Sequence, residues 1–311
     1  MKLVFMGTPD FSVPVLNELI KKGHEIAAVV TQADKPRGRG KEVQFPPVKQ
    51  AAVEHGITVY QPLKVKTPEF TEILNNINPD VIVVVAFGQI LSKEILDIPK
   101  YGCINVHASL LPQLRGAAPI QWSIINGEKI TGVTTMYMDV GLDTGDMLEK
   151  VEVTIEPDET GGSLHDKLSE AGAKLIISTL NKLEDGTAIR KKQDDSLSTY
   201  ARMLDKKLGN IDFSEDAEYI ERLIRGLNPW PSAYTSFNGK LLKIWKGNVI
   251  YEDTGKTPGE ITDVTNDSFS IACGKNTLEI LEVQLEGKKR MTAEEFLRGN
   301  SVKPGMKLEK R

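Results

Sequence analysis

The sequence predicts an α/β fold with two domains: a parallel sheet flanked by helices, followed by a small antiparallel β-barrel. Over residues 1 to about 100, short apolar runs alternate with amphipathic stretches at helical spacing, which is typical of β-α-β units. The run at 80–87 (DVIVVVAF) is almost entirely apolar, as in a strand that is covered on both faces. Beyond Gly186, short β-rich runs separated by Gly, Asn and Asp replace this pattern.

The β-α-β pattern starts at the N-terminus. Residues 2–7 (KLVFMG) form the first expected strand, and apolar residues at positions 13, 16, 19 and 20 mark a helix that ends in a basic turn before Gly23. The same pattern then predicts a strand at 25–32, a helix at 48–56, a short strand at 58–60, a helix at 68–77 and the strand at 80–87.

The second half of the first domain mixes strands and helices. A strand at 102–109 (GCINVHAS) is followed by a predicted helix at 120–128, strands at 131–139 and 147–155, and a long amphipathic helix at 163–183. The later β-rich runs lie at 233–239, 240–247, 259–264, 268–274 and 277–287, a spacing that indicates a small barrel or sandwich. The composition predicts a first domain at 1–188, a polar linker at 189–207 and a second domain at 208–311.

The composition is that of a globular chain, with 40% apolar and 26% charged residues and a formal net charge of −4 over 311 residues. The longest apolar run has the length of a strand, and the N-terminus lacks the features of a signal peptide, so we expect a cytoplasmic protein. Cys103 and Cys273 lie far apart without a CxxC pair, which favours two buried thiols over zinc or a disulfide.

The first strand-to-helix turn argues against a dinucleotide cofactor. Residues 7–12 (GTPDFS) contain one glycine, whereas the GxGxxG fingerprint needs three for the turn, the approach of the pyrophosphate and the packing of the helix. We expect a tight turn with Asp10 or Ser12 near the helix N-cap.

Asn105 and His107 are the first candidate site residues. Both lie at the end of the strand at 102–109, where the alternation of side chains directs them to the same side. Ligands of open parallel sheets bind beyond the carboxyl ends of the strands, so an amide and an imidazole would be presented there together. Taken alone, the Asn-x-His pattern fits a buried, hydrogen-bonded pair equally well.

Two loops follow that contain further candidates. The segment 109–116 (SLLPQLRG) suits a flat, partly apolar ligand with polar edges, although an ordinary strand-to-helix loop has a similar composition. The segment 138–146 (MDVGLDTGD) contains three aspartates and two glycines. It fits no EF-hand loop, and the alternative to a Ca²⁺ or Mg²⁺ site is that one aspartate orients His107 and favours its imidazolium form.

Together these motifs resemble the active-site signature of the 10-formyltetrahydrofolate-dependent formyltransferases. The matching residues are Asn105, His107, the loop 109–116 and Asp143. The segments MGTPDF, KPRGRG and NPWPSAYT are similar to those of the family members that act on methionyl initiator tRNA, along essentially the whole chain. The resemblance implies a Rossmann-like formyltransferase domain, 1–188, and an OB-like barrel, 208–311, that binds tRNA.

The resemblance also implies a reaction and roles for these residues. The formyl group of 10-formyltetrahydrofolate, the co-substrate, passes to the α-amino group of the methionine on initiator tRNA, without a metal or a covalent enzyme intermediate. Asn105 and His107 are expected to donate to the developing oxyanion, and Asp143 to hold His107 and accept a proton from the amine, directly or through water. The expected folate contacts are Ser109, Leu110, Leu111 and Pro112. We expect a monomer without an obligate protein partner.

A basic segment is the expected contact with tRNA. Between residues 35 and 49, five basic side chains stand against one acidic side chain, Glu42, which gives a net charge of +4 in an acidic chain. Because phosphate contacts dominate nucleic-acid affinity, this segment after the second strand is predicted to reach the acceptor end of the tRNA, and the alternative is a solvated surface loop. The basic residues are Lys35, Arg37, Arg39, Lys41 and Lys49.

Three other functions fit parts of the pattern. A glycinamide ribonucleotide formyltransferase shares the signature but usually ends before the β-rich domain, and a sugar-nucleotide formyltransferase lacks the KPRGRG loop. An inactive module that only binds RNA is disfavoured, because Asn105, His107 and Asp143 are all present.

Overall fold

The computed structural model describes residues 1–37 and 42–311, which form two compact units. The first unit contains residues 1–116, 130–154 and 165–201, and the second contains 117–129, 155–164 and 202–311. Two short segments that precede residue 165 therefore belong to the second unit. Residues 189–201, predicted as part of a linker, pack within the first unit.

The elements up to residue 201 alternate as the sequence predicts over its first hundred residues. In chain order they are β1 (Lys2–Gly7), α1 (Val13–Lys21), β2 (Glu25–Val30), β3 (Lys35–Arg37), β4 (Glu42–Gln44), α2 (Pro47–Glu54), β5 (Val59–Tyr60), α3 (Pro68–Ile77), β6 (Val81–Val85), α4 (Lys93–Leu96), β7 (Cys103–His107), β8 (Arg115–Gly116), α5 (Pro119–Ile125), β9 (Ile130–Tyr137), β10 (Met147–Thr154), α6 (Gly161–Glu184) and β11 (Tyr200–Ala201).

The first unit is built on a seven-stranded sheet with the order β10-β9-β7-β6-β1-β2-β5. Five neighbouring strands of this sheet run parallel: β7, β6, β1, β2 and β5. Strand β9 is antiparallel to β7, and β10 is antiparallel to β9. The predicted parallel-rich sheet is confirmed. Strand β6 lies inside it and is buried at all five positions, which explains its uninterrupted apolar run.

Helix α6 covers the sheet beside β7 and β9. The Ser169 hydroxyl donates to the carbonyl of Phe11 at 2.7 Å, and the hydroxyls of Thr179 and Thr135 are 2.8 Å apart. Gly172 allows close packing, because a Cβ there would lie 2.9 Å from a methyl group of Val106 in β7. These contacts make β7 a rigid support for the residues at its end.

Two short strands lie in the described part of the inserted loop that is predicted after the second strand. Strands β3 and β4 pair antiparallel, with Lys35 opposite Gln44 and Arg37 opposite Glu42.

The second unit contains a six-stranded antiparallel sheet and two further helices. Its elements beyond residue 201 are α7 (Ala217–Gly226), β12 (Ala233–Phe237), β13 (Lys240–Ile250), β14 (Ile261–Val264), β15 (Phe269–Ala272), β16 (Thr277–Leu285), β17 (Met291–Thr292) and α8 (Ala293–Gly299). The sheet order is β12-β13-β16-β15-β14, with β17 beside β16.

The end of the chain joins the two edges of this sheet. The amide of Ser236, in edge strand β12, donates to the carbonyl of Glu309 at 2.9 Å. Next to edge strand β14, the amide of Leu308 donates to the carbonyl of Gly259 at 2.8 Å. The predicted barrel is therefore closed by the last residues of the chain, which leaves neither edge without hydrogen-bonding partners.

Helices α7 and α8 were not predicted from the sequence. Ile220 and Ile224 of α7 and Phe296 of α8 are buried in the barrel core. Leu223 of α7 packs with Ile125 of α5 in a separate apolar cluster, which explains why α5 belongs to the second unit. Within the described ranges, no helix is long and apolar enough to cross a membrane.

Candidate active site

Strand β7 presents Asn105 and His107 at its carboxyl end. In the register with antiparallel β9, Asn105 lies opposite Met136 and His107 lies opposite Thr134. Both side chains are more than nine-tenths buried, Asn105 at 9% and His107 at 6% exposure. The strand therefore holds an amide and an imidazole together in a largely water-excluded place.

The His107 ring has an oxygen atom near each nitrogen. Its Nε2 is 3.0 Å from the carbonyl oxygen of Leu114, a residue in the left-handed region with φ of 55°. Its Nδ1 is 3.7 Å from Oδ2 of Asp143, which is within ion-pair range but longer than a hydrogen bond. The structure thus brings His107 and Asp143 together across 36 positions of sequence, with Nε2 as the donor to Leu114.

Asp143 is held by a hydrogen bond to the loop that follows β7. Its Oδ2 accepts from the amide of Gly116 at 2.8 Å, and its side chain is 13% exposed. Asp143 has a φ of 54°, so its backbone is in the left-handed region that residues other than glycine rarely adopt. Both the backbone and the carboxylate of this aspartate are therefore constrained.

The carboxamide of Asn105 is available to a ligand. It makes no hydrogen bond to any residue within 1–37 and 42–311, and it has no fully enclosed unsatisfied atom. Buried amides normally have a hydrogen-bonding partner, so the small exposed part of this one is suited to donate to the carbonyl oxygen of a bound ligand.

The four predicted folate contacts differ in how accessible they are. The Ser109 hydroxyl donates to the Gln113 carbonyl at 2.6 Å and closes the turn. Leu111 is fully buried against Met136 and Met147, its amide donates to Thr134 and its carbonyl accepts from Lys150. Leu110 and Pro112 are partly exposed, so they are the members of this set with surface left for a ligand.

Thr134 and Gln193 support the site and were missed in the sequence. The Thr134 hydroxyl donates to the Ser109 carbonyl at 2.7 Å and accepts from the Leu111 amide, so it pins the loop to β9. The Gln193 carboxamide contacts both the loop of Asp143 and Arg115. Gln193 stands in a charged run, RKKQDD, and no spacing rule connects it to position 143.

The predicted tRNA-contacting residues are only partly described. Lys35 and Arg37 lie in β3, whereas Arg39 and Lys41 lie outside the described residues. The ammonium of Lys49 is 2.6 Å from Oδ2 of Asp34 and 2.8 Å from Oε1 of Gln61. The hydrogen bond from Lys49, with one from Gln61, lowers the pKa of Asp34, so the charge of Lys49 is already compensated.

The two cysteines are buried, and their thiols are expected to be unreactive. Burial raises the pKa of the Cys103 thiol to about 12 and that of Cys273 to about 12.

Within the described part of the chain, no group of three or more His, Cys, Asp or Glu side chains has the arrangement of a metal site.

Comparisons with known proteins bear on the family and the fold of this chain. Residues 1–180 match the formyl transferase family, and residues 203–301 match the formyl transferase C-terminal domain. The methionyl-tRNA formyltransferase of Agathobacter rectalis is 56% identical over 305 residues, 98% of each chain. That of Clostridioides difficile is 54% identical over 308 residues, 99% of this chain and all of the relative.

A solved structure has the same fold. The N-formyltransferase from Helicobacter canadensis, in complex with folinic acid and dTDP-3-aminofucose, superposes with a TM-score of 0.69 at 20% identity. The match covers 94% of this chain and all of that one.

Proposed function

Because this chain belongs to the formyl transferase family, with methionyl-tRNA formyltransferases as near-full-length relatives, we propose that Asn105, His107 and Asp143 catalyse its formyl transfer to methionyl-tRNA. The enzyme moves a formyl group from a formyl-tetrahydrofolate donor to the α-amino group of methionine on the initiator tRNA. The observation that carries the assignment of residues is the approach of Asp143 to His107, at 3.7 Å, at the carboxyl end of β7.

Two donors at the end of β7 would stabilise the transition state. Attack of the neutral amine on the formyl carbon forms a C–N bond and a tetrahedral intermediate with negative charge on the former carbonyl oxygen. Its collapse breaks the bond to the donor nitrogen, and the released tetrahydrofolate takes up a proton in place of the one shed by the amine. Asn105 offers a neutral amide that has no hydrogen-bonding partner among the described residues, and His107 offers a ring N–H. Losing one preorganised donor of this kind typically raises the barrier by about 2.7–4 kcal/mol.

For His107 to act in this way, one of its two protein contacts must give way. Nε2 now donates to the Leu114 carbonyl at 3.0 Å, and Nδ1 faces Asp143. We propose that Nε2 turns from Leu114 to the reacting oxygen, while Asp143 keeps the ring oriented. Asp143 also accepts the proton released by the amine, directly or through water.

We propose 10-formyltetrahydrofolate as the specific donor, bound beside the loop 109–116. Leu110 and Pro112 have the exposed apolar surface for its ring, and Ser109 and Leu111 shape the loop from inside. The formyl group then lies near the end of β7 because the loop begins two residues after His107. No metal is assigned to this chemistry.

The tRNA is assigned to two regions. The basic segment 35–49 contacts the acceptor end, and residues 208–311 bind the remainder of the tRNA. The basic residues of the segment 35–49 are Lys35, Arg37, Arg39, Lys41 and Lys49. We propose the catalytic function for residues 1–188 together with 189–201, the part of the predicted linker 189–207 that packs within the first unit. We further propose that the enzyme acts as a cytoplasmic monomer, where charged tRNA and folate are both present.

The acceptor can be tested directly with the purified protein. We expect 10-formyltetrahydrofolate to formylate methionyl initiator tRNA and to leave glycinamide ribonucleotide and a dTDP-amino sugar unmodified. Uncharged tRNA serves as the control, because it lacks the reacting amine. Formylation of either small acceptor without reaction of the tRNA would refute the proposed acceptor.

A further inference from the structure

We propose that Gln193 is a positioning residue that holds Asp143 in place beside His107. The inference rests on the role proposed above for Asp143. It concerns a residue in the segment that the sequence predicts as a linker, and it gives that segment a part in the reaction.

The Gln193 carboxamide connects two loops through four hydrogen bonds. Its Nε2 donates to the carbonyls of Asp143 and Gly145, each at 2.8 Å. Its Oε1 accepts from Nε and Nη2 of Arg115, at 3.1 and 2.9 Å. The side-chain amide has two N–H donors and one oxygen with two lone pairs, so its hydrogen-bonding capacity is fully used.

Gln193 is buried, and its own backbone is anchored nearby. The residue is 5% exposed although its neighbours in the sequence are charged. Two residues earlier, Lys191 exchanges hydrogen bonds with Met147, 2.9 Å in each direction, at the start of β10. The carboxamide is therefore fixed relative to the sheet and can act as a reference point for the loops around it.

The loop of Asp143 has few other supports. Val140 and Leu142 are 66% and 54% exposed, and Asp143 itself has the left-handed φ of 54°. The two hydrogen bonds from Gln193 to the carbonyls of Asp143 and Gly145 stabilise this left-handed backbone conformation, which would otherwise be unfavourable. Without them, the carboxylate would lose its fixed distance to the His107 ring.

The same amide also orders the partner of the Asp143 carboxylate. Arg115, which Gln193 binds, directly precedes Gly116, whose amide donates to Oδ2 of Asp143 at 2.8 Å. Gln193 thus fixes the backbone of Asp143 directly. It also fixes Arg115, the residue next to the Gly116 amide that binds the Asp143 carboxylate.

An amide is needed here, and neither a carboxylate nor an apolar chain replaces it. Gln193→Glu would still accept from Arg115, but it would set a negative oxygen against the carbonyls of Asp143 and Gly145. Gln193→Met would fill a similar volume and make none of the four hydrogen bonds. Both variants should therefore release the loop of Asp143.

The test is steady-state kinetics of Gln193→Met and Gln193→Glu with 10-formyltetrahydrofolate and methionyl-tRNA. We expect kcat to fall about 10- to 100-fold, because a small displacement of a catalytic group is enough for such a loss, while both KM values stay within about threefold. Two variants are used so that a failure of one to fold leaves the other to decide.

A double-mutant cycle with Asp143→Asn separates positioning from general stability. If Gln193 acts through Asp143, adding Gln193→Met to Asp143→Asn should lower kcat by less than about threefold further. Ser178→Ala is the matched control: it also removes a side-chain hydrogen bond in the first unit, to Glu149 at 3.0 Å, and should leave kcat unchanged.

The outcomes distinguish this inference from the function on which it rests. If Asp143→Asn lowers kcat strongly while both Gln193 variants keep the kcat of the parent enzyme, the positioning role is wrong and the proposed function stands. Fully multiplicative losses in the double variant would also overturn the positioning role. An Asp143→Asn variant with unchanged kcat would instead overturn the proposed role of Asp143, and this inference with it.

Discussion

The amide of Gly116 donates a 2.8 Å hydrogen bond to Oδ2 of Asp143. The same oxygen is the one that lies 3.7 Å from Nδ1 of His107. A single carboxylate oxygen therefore links the loop after β7 to the residue at the end of β7. The orientation of that oxygen depends on a backbone position where glycine is required.

Replacing Gly116 with alanine should disturb this link. Gly116 has a φ of 111°, and a Cβ there would lie 2.6 Å from the Tyr200 ring and 2.7 Å from the Ala201 carbonyl oxygen. Strained backbone of this kind costs about 1–3 kcal/mol, and relief of the clash moves the amide that binds Asp143. We expect a lower midpoint of urea unfolding and at least a tenfold lower kcat.

Gly186→Ala is the control for backbone strain alone. Gly186 also has a positive φ, 69°, but no atom lies within 4 Å of a Cβ built there. This variant should lose some stability and keep its kcat. Equal kcat values for the two glycine variants would contradict the importance of the Gly116–Asp143 hydrogen bond.

Replacing Asn105 or His107 with alanine should reduce turnover more than binding. Each change removes one donor proposed for the oxyanion, for which a loss of about 100- to 1,000-fold in kcat is typical. We expect the affinity for 10-formyltetrahydrofolate, measured by equilibrium titration, to stay within a few-fold because the loop 109–116 is retained.

His165→Ala is a matched control for His107→Ala. His165 also lies near carboxylates, 3.5 Å from Asp10 and 2.9 Å from Asp166, but it belongs to α6. Its replacement should leave kcat within about twofold, the scale of a surface change. Turnover equal to the parent enzyme in either Asn105→Ala or His107→Ala would remove that residue from the proposed site.

The basic residues between 35 and 49 should not contribute equally to tRNA binding. Lys49 is paired with Asp34 and Gln61, so Lys49→Ala exposes a carboxylate but removes no free charge. We expect the Arg37→Ala, Arg39→Ala, Lys41→Ala triple variant to weaken tRNA binding and to lower the slope of log K against log salt by about two to three units. Lys49→Ala should change the slope by less than one unit.

These measurements also test the simpler interpretation of the segment. A triple variant with the salt slope of the parent enzyme would support the alternative that the segment is a solvated surface loop. Folate binding provides the control and should be the same in all these variants.

Both thiols should resist alkylation in the folded protein. With a pKa of about 12, only about one molecule in ten thousand carries a thiolate at either cysteine at pH 8. We expect iodoacetamide to leave Cys103 and Cys273 unmodified, without loss of activity, and to modify both once urea unfolds the chain. Rapid modification of either thiol in the native enzyme would contradict its burial.

The same burial predicts the sign of a pH effect on stability. The folded protein favours the protonated thiol, so this contribution is complete below the ordinary pKa of 9.0 and is lost as pH rises from there towards about 12. A Cys103→Ala, Cys273→Ala double variant should therefore lose less stability between pH 8.5 and about 10.5 than the parent enzyme does. Urea unfolding midpoints across that range measure the difference.

Several features could be predicted from local sequence because their causes are local. The apolar run of β6 is buried on both faces of the sheet, and Gly23 ends α1 with a φ of 79°. Asn105 and His107 could be placed together because alternation within one strand fixes their common side. The family signature added Asp143, which spacing alone does not connect to His107.

Other features depend on contacts between distant segments. Helices α7 and α8 were missed because both helices are short. Their few apolar residues are recognisable as a buried face only when they are seen packed against the barrel core. Lys49 counts as a free positive charge in the sequence, and only folding sets Asp34 beside it at 2.6 Å. Leu111 belongs to a predicted folate-binding loop, yet its side chain is buried against Met136 and Met147.

The sequence by itself determined the alternation of strands and helices, the change to a β-rich second half, and the common placement of Asn105 and His107 at the end of one strand. Periodicity and turn residues act over a few positions, so they can be recognised without a fold. The tertiary structure alone decided that Gln193 lies against Asp143 and Arg115, that Gly116 binds the Asp143 carboxylate, and that residues 306–309 close the barrel. These contacts join segments 27 to more than 70 positions apart, and only the packed chain fixes which distant polar groups satisfy one another.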